Sequence, residues 1–174
     1  MTKKQKIFRG FLFAFLVALF ARTFLIEGFY VKGDSMYPTI KNGQYIFINK
    51  TSFWFRDPTR GEVIVAYPRA YPGRVIKRII GMPGERLSIE DKKIVIRYNR
   101  TDVGEKLDES NIGNVATPEV GITKIIISPK EYFAMGDNRA VSIDSRELGA
   151  IDEWDIKGKV FLIFDFKNFK FSHI

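Results

Sequence analysis

A serine, Ser35, stands among glycine, aspartate and proline in the segment VKGDSMYPTI, residues 31–40. Such a residue is either an ordinary turn hydroxyl or a nucleophile, and a nucleophilic serine needs a base beside it. The one histidine, His173, lies one residue from the C-terminus, which argues against a Ser-His-Asp triad. A carboxylate alone is too weak a base to activate a serine near neutral pH. Lysine is the candidate that remains.

Lys77 is the unusual lysine, because it lies in the apolar, strand-like segment GRVIKRIIGMPGE, residues 73–85. Strand alternation places Lys77 and Arg78 on opposite faces, so one of these cations must point among apolar neighbours. An ordinary lysine has a pKa of about 10.4 and is almost wholly protonated at neutral pH. Burial can lower that pKa by up to about 3–5 units. The pattern leaves two interpretations of Lys77 open. It is either a general base or an ordinary lysine whose aliphatic stem is buried while its ammonium group reaches solvent.

A third polar stretch, MGDNRAVSIDSRELG at residues 135–149, follows a predicted strand. Its structural reading is a loop held together by Asp–Arg pairs. Its functional reading adds a serine hydroxyl that holds a lysine amine in place. The candidate residues are Asp137, Asn138, Arg139, Ser142, Asp144, Ser145 and Arg146.

The composition excludes several kinds of site. The chain has no cysteine, so disulfides, thiolate zinc sites and a cysteine nucleophile are excluded, and one histidine argues against a metal site. We predict neither a metal nor a cofactor. A net charge of +8 suits an anionic partner, either nucleic acid or lipid headgroups. The chain has no recognition helix or base-stacking motif, so we do not expect nucleic acid to bind.

The N-terminus pairs a basic start with an apolar run. The span 7–26 has 20 residues, or about 30 Å of helix, which matches one bilayer core. We predict a transmembrane anchor. Two alternatives are a buried core helix and a cleavable signal peptide, although a cut after Ala21 would put Leu19 where a small residue is preferred. The basic residues before and within the run are Lys3, Lys4, Lys6, Arg9 and Arg22.

The side on which each part of the chain lies follows from those lysines. Positive residues stay in the cytoplasm, so residues 1–6 are predicted to be cytoplasmic. Residues 27–174 then form an extracytoplasmic domain on a single-pass anchor in the cytoplasmic membrane. Long domains cross a membrane largely regardless of charge, so the basic domain is no obstacle.

The chain after the anchor predicts a mostly β domain, either a barrel or a coiled sheet. Short β-branched and aromatic runs alternate with Gly, Pro and Asn turns. Residues 151–156 predict a short helical turn, and polar residues 100–121 predict a surface loop or small insertion. The predicted strands are 44–49, 62–67, 74–80, 86–90, 93–98, 124–128, 132–135 and 159–164.

Two aromatic segments have open readings. Phe53, Trp54 and Phe55 are either a twisted strand end packed on the core or a loop that enters the lipid interface, where tryptophan is favoured. The tail FDFKNFKFSHI, residues 164–174, alternates phenylalanine with charged residues. It is either a last strand or a second interfacial segment, and it is too short to span a membrane.

Together these stretches resemble bacterial type I signal peptidase, a membrane-bound serine protease that removes signal peptides from exported proteins. The resemblance covers most of the chain and is to the short, single-anchor, Gram-positive-like form. It implies a signal-peptidase-like coiled β-sheet domain. After the anchor, the motifs that carry it are GDSMYPT at 33–39, RGEVIVAYP at 60–68, RVIKRIIGMPGE at 74–85 and GDNRAVSIDSRELG at 136–149.

The resemblance implies a role for each candidate residue. Ser35 is the nucleophile, Lys77 is the general base, and Ser142 donates or accepts a hydrogen bond that orients the lysine amine. The Ser35 N–H holds the oxyanion with a second donor, and Gly33 stands where other members carry a serine that helps. The bracing residues are Asp144, Arg146, Asp137, Asn138, Arg139 and Ser145.

The implied partners are the signal peptides of exported preproteins and membrane lipid, with no obligate protein partner. Other Ser–Lys peptidases are a close alternative, either autocleaving repressors or pilin maturation proteases. A repressor needs an N-terminal pair of DNA-binding helices, where this chain has its apolar span. From another functional class, an anchored β-domain without activity, serving as a binding scaffold, also fits the pattern.

Overall fold

The structure is a computed structural model that describes residues 3–99, 101, 103–113 and 115–174. Residues 1 and 2 of the predicted cytoplasmic segment lie outside this description. So do positions 100, 102 and 114 of the predicted loop.

An exposed helix, α1 (Lys3–Phe20), opens the structure and continues into a π-helical turn at Ala21–Leu25. None of its described residues is buried, and Phe11 is 74% exposed. By length and composition Lys3–Leu25 is able to cross a membrane. Ile26, the predicted last residue of the span, instead starts the first strand, because it pairs with Asn49 in the sheet.

Twelve strands follow in the described residues, and every pair is antiparallel. Their bounds are β1 Ile26–Tyr30, β2 Tyr45–Asn49, β3 Val63–Ala66, β4 Val75–Gly81, β5 Arg86–Glu90, β6 Lys93–Arg97, β7 Glu105–Lys106, β8 Lys124–Ile126, β9 Glu131–Met135, β10 Ile151–Asp152, β11 Ile156–Asp165 and β12 Lys170–His173. A four-residue helix, α2 (Ser145–Leu148), lies between β9 and β10.

The larger sheet has eight strands in the order β1-β2-β11-β3-β4-β9-β10, and β12 pairs with the end of β11. Strand β11 pairs with β2 on one side and, on the other, with β3 through its first half and β12 through its second half. It shifts register between Val160 and Leu162. The smaller sheet has the order β7-β6-β5-β8. The prediction of a mostly β domain is confirmed.

The core explains why the sequence folds this way. Strand β2 alternates, with Ile46 and Ile48 fully buried and the residues between them partly exposed. Strand β3 is a continuous apolar run and is buried throughout, whereas two cations, Lys77 and Arg78, interrupt the apolar residues of β4. The pair β3–β4 therefore places Lys77 and Arg78 in the interior of the domain, where they are 3% and 7% exposed.

The eight predicted strands all form, while β1, β7, β10 and α2 have no counterpart among the predictions. The predicted helical turn at 151–156 contains a 3-10 turn, Glu153–Asp155. The tail forms β12, which confirms a last strand. Of the aromatic triplet, only Phe53 packs on the core, whereas Trp54 and Phe55 are 58% and 95% exposed.

The segment 100–121 is more than a surface loop, which corrects that part of the prediction. Its described residues include β7 and a 3-10 turn, Ser110–Ile112. Glu109 and Thr117 are 7% and 0% exposed. They are buried because a buried arginine from another part of the chain binds both, as described below.

Candidate active site

Ser35 lies in the turn that follows β1, and the turn is fixed at both ends. Gly33 has φ +95°, a left-handed conformation that favours glycine, and its N–H donates to Asn42 Oδ1 at 3.1 Å. Met36 and Ile40, buried in the core, hold the other end and share a backbone hydrogen bond of 2.9 Å. The side chain of Ser35 is half-buried at the surface of a cleft.

Lys77 reaches Ser35 from the middle of the sheet. Its Nζ donates to Ser35 Oγ at 3.0 Å, and its cross-strand neighbour on β3 is the fully buried Ile64. Burial lowers the pKa of the Lys77 amine to about 8. Asp144 opposes this change in pKa, Arg146 adds to it, and Asp137 opposes it. Lys77 as a whole is only 3% exposed, although it lines the cleft described below.

Arg78, the next residue on β4, ties the Ser35 turn to the loop after β9. Its guanidinium binds Asp137 through two hydrogen bonds of 2.8 and 2.7 Å, and both side chains are buried. The hydroxyl of Thr39 donates to the same carboxylate at 2.5 Å. Asn138 donates its backbone N–H to the Ser35 carbonyl at 3.0 Å and its side-chain amide to the Asp34 carbonyl at 3.2 Å. The loop after β9 thus holds the Ser35 turn in place through side-chain and backbone contacts.

A second buried pair closes the same loop. Arg146 donates to both oxygens of Asp144 at 2.9 Å, and its Nη2 also donates to the Arg139 carbonyl at 2.7 Å. Asp144 accepts in addition from the Gly136 N–H at 3.0 Å. Burial alone would raise the pKa of Asp144, but the hydrogen bonds from Arg146 and Gly136 hold that pKa below its ordinary value. The loop therefore carries an ionised carboxylate in its interior.

Arg139 connects this loop to the segment that the sequence assigned to the surface. Its side chain is fully buried and binds the Glu109 carboxylate through both terminal nitrogens. It also donates to Thr117 Oγ1 at 2.5 Å and to the Gly136 carbonyl at 2.9 Å. Glu109 and Thr117 are not among the predicted site residues. Thr39 is part of the motif at 33–39, but no role was predicted for it. No pattern in the sequence singles out Glu109 or Thr117, since a polar stretch is typical of a loop.

The two loop serines have different environments. Ser145 Oγ accepts from the Ala134 N–H at 3.0 Å, which joins α2 to β9. Ser142 Oγ is buried and has no hydrogen-bond partner among the described residues. The expected hydrogen bond between Ser142 and the Lys77 amine is therefore absent, which corrects that prediction. The hydroxyl lies instead against Gly136, only 2.2 Å from where a Cβ would stand.

An open cleft of about 760 Å³ gives access to Ser35 and Lys77. The turn after β1 forms one wall, and residues 71–76 form another. At the rim, the Arg74 guanidinium stacks 3.9 Å from the centre of the Phe29 ring. A hydroxyl and a buried amine at an open cleft together suit acyl transfer. No group of metal-ligating residues occurs in the part of the chain that the structure describes.

Comparison of the sequence with known proteins identifies the family of this chain. The model of the family "Signal peptidase, peptidase S26" matches residues 4–165. The chain belongs to this family. It is 36% identical over 171 residues to signal peptidase I T of Bacillus subtilis strain 168, an alignment that covers 93% of this chain and 86% of that one.

Other members are similar over nearly the same length. Signal peptidase IB of Staphylococcus aureus MRSA252 is 30% identical, with 91% of this chain and 88% of that one covered. A solved signal peptidase I from Enterococcus faecalis V583 is 28% identical with a TM-score of 0.48, and the match covers 60% of this chain and 97% of that one. The predicted family, and with it a mostly β signal-peptidase fold that carries one N-terminal apolar helix, is confirmed.

Proposed function

We propose that the protein is a membrane-anchored serine endopeptidase that cleaves signal peptides from exported preproteins after a small residue. We propose further that Ser35 is the nucleophile and Lys77 its general base. The observation that carries this proposal is the 3.0 Å contact from the buried Lys77 Nζ to Ser35 Oγ at the surface of an open cleft. Family membership supports the reaction class.

The lowered pKa of Lys77 supports its role as a base. At a pKa of about 8, roughly a tenth of the amine is neutral at pH 7. At the ordinary lysine pKa, only on the order of one amine in a thousand is neutral there. Burial therefore raises the population of the reactive form by about two orders of magnitude.

In the proposed reaction, neutral Lys77 takes the Ser35 proton while Oγ attacks the scissile carbonyl. The Lys77 ammonium then protonates the leaving amine of the mature protein, which leaves an ester between Ser35 and the signal peptide. Lys77, neutral again, takes a proton from a water molecule that attacks this ester. Hydrolysis releases the signal peptide and restores the Ser35 hydroxyl.

The backbone of Ser35 supports a role in the oxyanion hole. Within the described ranges the Ser35 N–H donates to no acceptor, so it is available to the oxyanion. The Gly33 N–H donates to Asn42, so we do not assign it as the second donor. In the proposed role of the loop, Asn138 fixes the Ser35 carbonyl, and the buried Asp–Arg pairs keep that contact in place.

The helix α1 determines where the proposed enzyme is located in the cell. We propose that it crosses the cytoplasmic membrane once, with the N-terminus inside and the β domain outside. A signal peptide in the same membrane would then meet the cleft at a high effective concentration, without additional contacts at the site.

The proposal is tested by cleavage of a labelled preprotein in detergent, with the full-length protein. Ser35→Ala and Lys77→Ala should each abolish cleavage while the far-UV circular dichroism spectrum stays unchanged. Ser128→Ala and Lys93→Ala are matched controls, because both residues are exposed and distant in sequence from the cleft, and they should cut at the wild-type rate. Wild-type cleavage by either dyad variant would disprove the assignment. A folded wild type that cuts no preprotein would favour a binding scaffold.

A further inference from the structure

A second cavity, of about 1080 Å³, lies outside the catalytic cleft and shares none of the described lining residues with it. Four connections between strands contribute to its lining, together with the end of the N-terminal helical segment. The lining comes from residues 23–24, residues 50–58, Pro83, the turn at Pro129–Lys130 with Tyr132, and residues 153–157. The reaction proposed above uses none of them.

The cavity is aromatic, and its largest side chains are exposed. The chain has two tryptophans, and both line this cavity. Trp54 is 58% exposed, Trp154 is 71% exposed, and Phe24, in the π-helical turn, is 50% exposed. Tryptophan in such a position is typical of a membrane–water interface, because the ring is apolar and its N–H needs a polar partner.

Cations outnumber carboxylates in the lining, and one cation has no carboxylate partner. Lys157 donates to the Trp154 carbonyl at 2.8 Å and forms no ion pair with any described residue. Lys130 lies 3.0 Å from Glu153 and 5.8 Å from the centre of the Trp154 ring. Both lysines thus contact Trp154, Lys130 over its exposed ring and Lys157 at its backbone carbonyl. The charged residues of the lining are Lys50, Arg56, Asp57, Lys130, Glu153 and Lys157.

The position of the cavity relative to the anchor suggests what fills it. Thr23 and Phe24 lie in the last turn of the proposed span, within about 5 Å of its outer end. Lys50 fixes the domain to this turn, since its Nζ donates to the Thr23 carbonyl at 2.8 Å and its N–H to the Leu25 carbonyl at 2.9 Å. The cavity therefore opens at the depth where hydrocarbon gives way to headgroups.

We propose that this cavity binds one anionic phospholipid of the outer leaflet. The headgroup phosphate lies between Lys130 and Lys157, and the start of an acyl chain lies on Phe24 and the two indole rings. This inference rests on the proposed membrane anchor, but it assigns a site separate from the catalytic one. An anionic headgroup is favoured because it supplies a negatively charged partner for the Lys157 ammonium, which has none among the described residues.

Intrinsic fluorescence reports on this site alone, because both tryptophans line the cavity. The full-length protein is placed in phosphatidylcholine nanodiscs that contain either brominated phosphatidylglycerol or brominated phosphatidylcholine at equal mole fraction. We expect stronger tryptophan quenching by the brominated phosphatidylglycerol. Equal quenching by the two lipids would overturn the proposal. Trp54→Phe and Trp154→Phe each leave one reporter, and both single reporters should show the preference.

A charge-matched pair of variants separates the site from general surface charge. Lys130→Gln/Lys157→Gln should weaken the preference for phosphatidylglycerol by roughly fivefold for each lysine removed. Lys167→Gln/Lys170→Gln removes the same charge from exposed positions in the β11–β12 hairpin and should leave the preference as in the wild type. Equal losses in the two double variants would show non-specific attraction and overturn the site.

Two further arms identify the source of failure. Soluble glycerol phosphate should not relieve the quenching, and relief would show a site for free phosphate esters, contrary to the proposal. Alkaline carbonate extraction of native membranes tests the anchor by itself. Release of the full-length protein by carbonate would refute the anchor and this lipid site together. Retention without a lipid preference would refute the lipid site alone.

Discussion

Lys77 Nζ and Ser35 Oγ lie 3.0 Å apart, although 42 positions separate the two residues in the chain. The lysine is placed by β4, which pairs with β3 on one side and β9 on the other. The serine is placed by the turn after β1, which the loop following β9 holds through its backbone. The positions of both residues therefore depend on β9. Lys77 depends on the pairing of β4 with β9, and Ser35 depends on the loop that follows β9.

Replacement of Lys77 should stabilise the fold while it abolishes activity. In a Ser35→Ala background, Lys77→Met should raise the free energy of unfolding at pH 7 by up to about 3 kcal/mol. The reason is that the folded protein must hold a charged amine in a site where the pKa falls to about 8 from 10.5 in the unfolded chain. Urea denaturation of the full-length protein in detergent measures the difference from Ser35→Ala alone.

The same comparison has a pH signature. Between the two pKa values the unfolded chain binds the Lys77 proton and the folded chain does not, so stability rises with pH in the presence of Lys77. The advantage of Lys77→Met should therefore be complete below about pH 8 and shrink as pH rises toward 10.5. A constant difference across this range would mean that the amine is not buried as described.

Cleavage should depend on pH through the same group. We expect kcat/KM to rise about tenfold per pH unit at low pH and to level off above the Lys77 pKa of about 8. The rise follows the neutral amine, which is the form that takes the Ser35 proton. The measurement uses a peptide substrate without ionisable groups in this range, so that its own titration does not contribute. A flat profile between pH 6 and pH 9 would contradict the assignment of Lys77 as the base.

The strands were predictable from the sequence because alternation and continuous apolar runs report burial directly, as in β2 and β3. The pairing of Ser35 with Lys77 followed from elimination of other bases and from the family motifs. The partners of Arg139 were not predictable. Glu109 and Thr117 lie in a polar segment. They are buried only because Arg139, distant in sequence, neutralises the Glu109 carboxylate and donates a hydrogen bond to the Thr117 hydroxyl.

Ser142 shows a second limit of prediction from sequence. The motif names the residue, but tertiary packing decides the direction of its hydroxyl and places it against Gly136. Strand β1 was missed for a different reason. Its residues continue the apolar run of the anchor, so that tertiary pairing with β2, and not local pattern, decides where the helix ends.

Loss of the Glu109 carboxylate should weaken the site from a distance. Glu109→Gln leaves the fully buried Arg139 guanidinium without its counter-charge, which typically costs about 3–5 kcal/mol. We also expect a lower kcat, because Arg139 holds the Gly136 carbonyl of the catalytic loop. Glu105→Gln, at an exposed position on β7, is the control and should change stability by less than about 0.5 kcal/mol. Similar thermal unfolding of the two variants would show that the Glu109 pair is not important.

At Gly136 the loop after β9 lies against the turn that carries Ser35. A Cβ there would lie 2.4 Å from the Ser35 carbonyl oxygen and 2.2 Å from Ser142 Oγ. Gly136→Ala must therefore displace the Ser35 backbone, the loop after β9 or both, and a displacement of about 1 Å can cost on the order of a hundredfold in kcat. The steady-state kinetics of peptide cleavage measure this loss.

Two further variants identify which contact is responsible. Gly136→Ala/Ser142→Ala relieves the contact with the hydroxyl but leaves the contact with the Ser35 carbonyl, so the double variant should remain impaired in kcat. Gly10→Ala adds the same methyl group where nothing lies within 4 Å and should keep wild-type kinetics. If the double variant regained full activity, the clash with Ser142 alone would account for the loss. The position of the Ser35 carbonyl would then be set by Asn138 and the Arg78–Asp137 pair, without a steric contribution from Gly136.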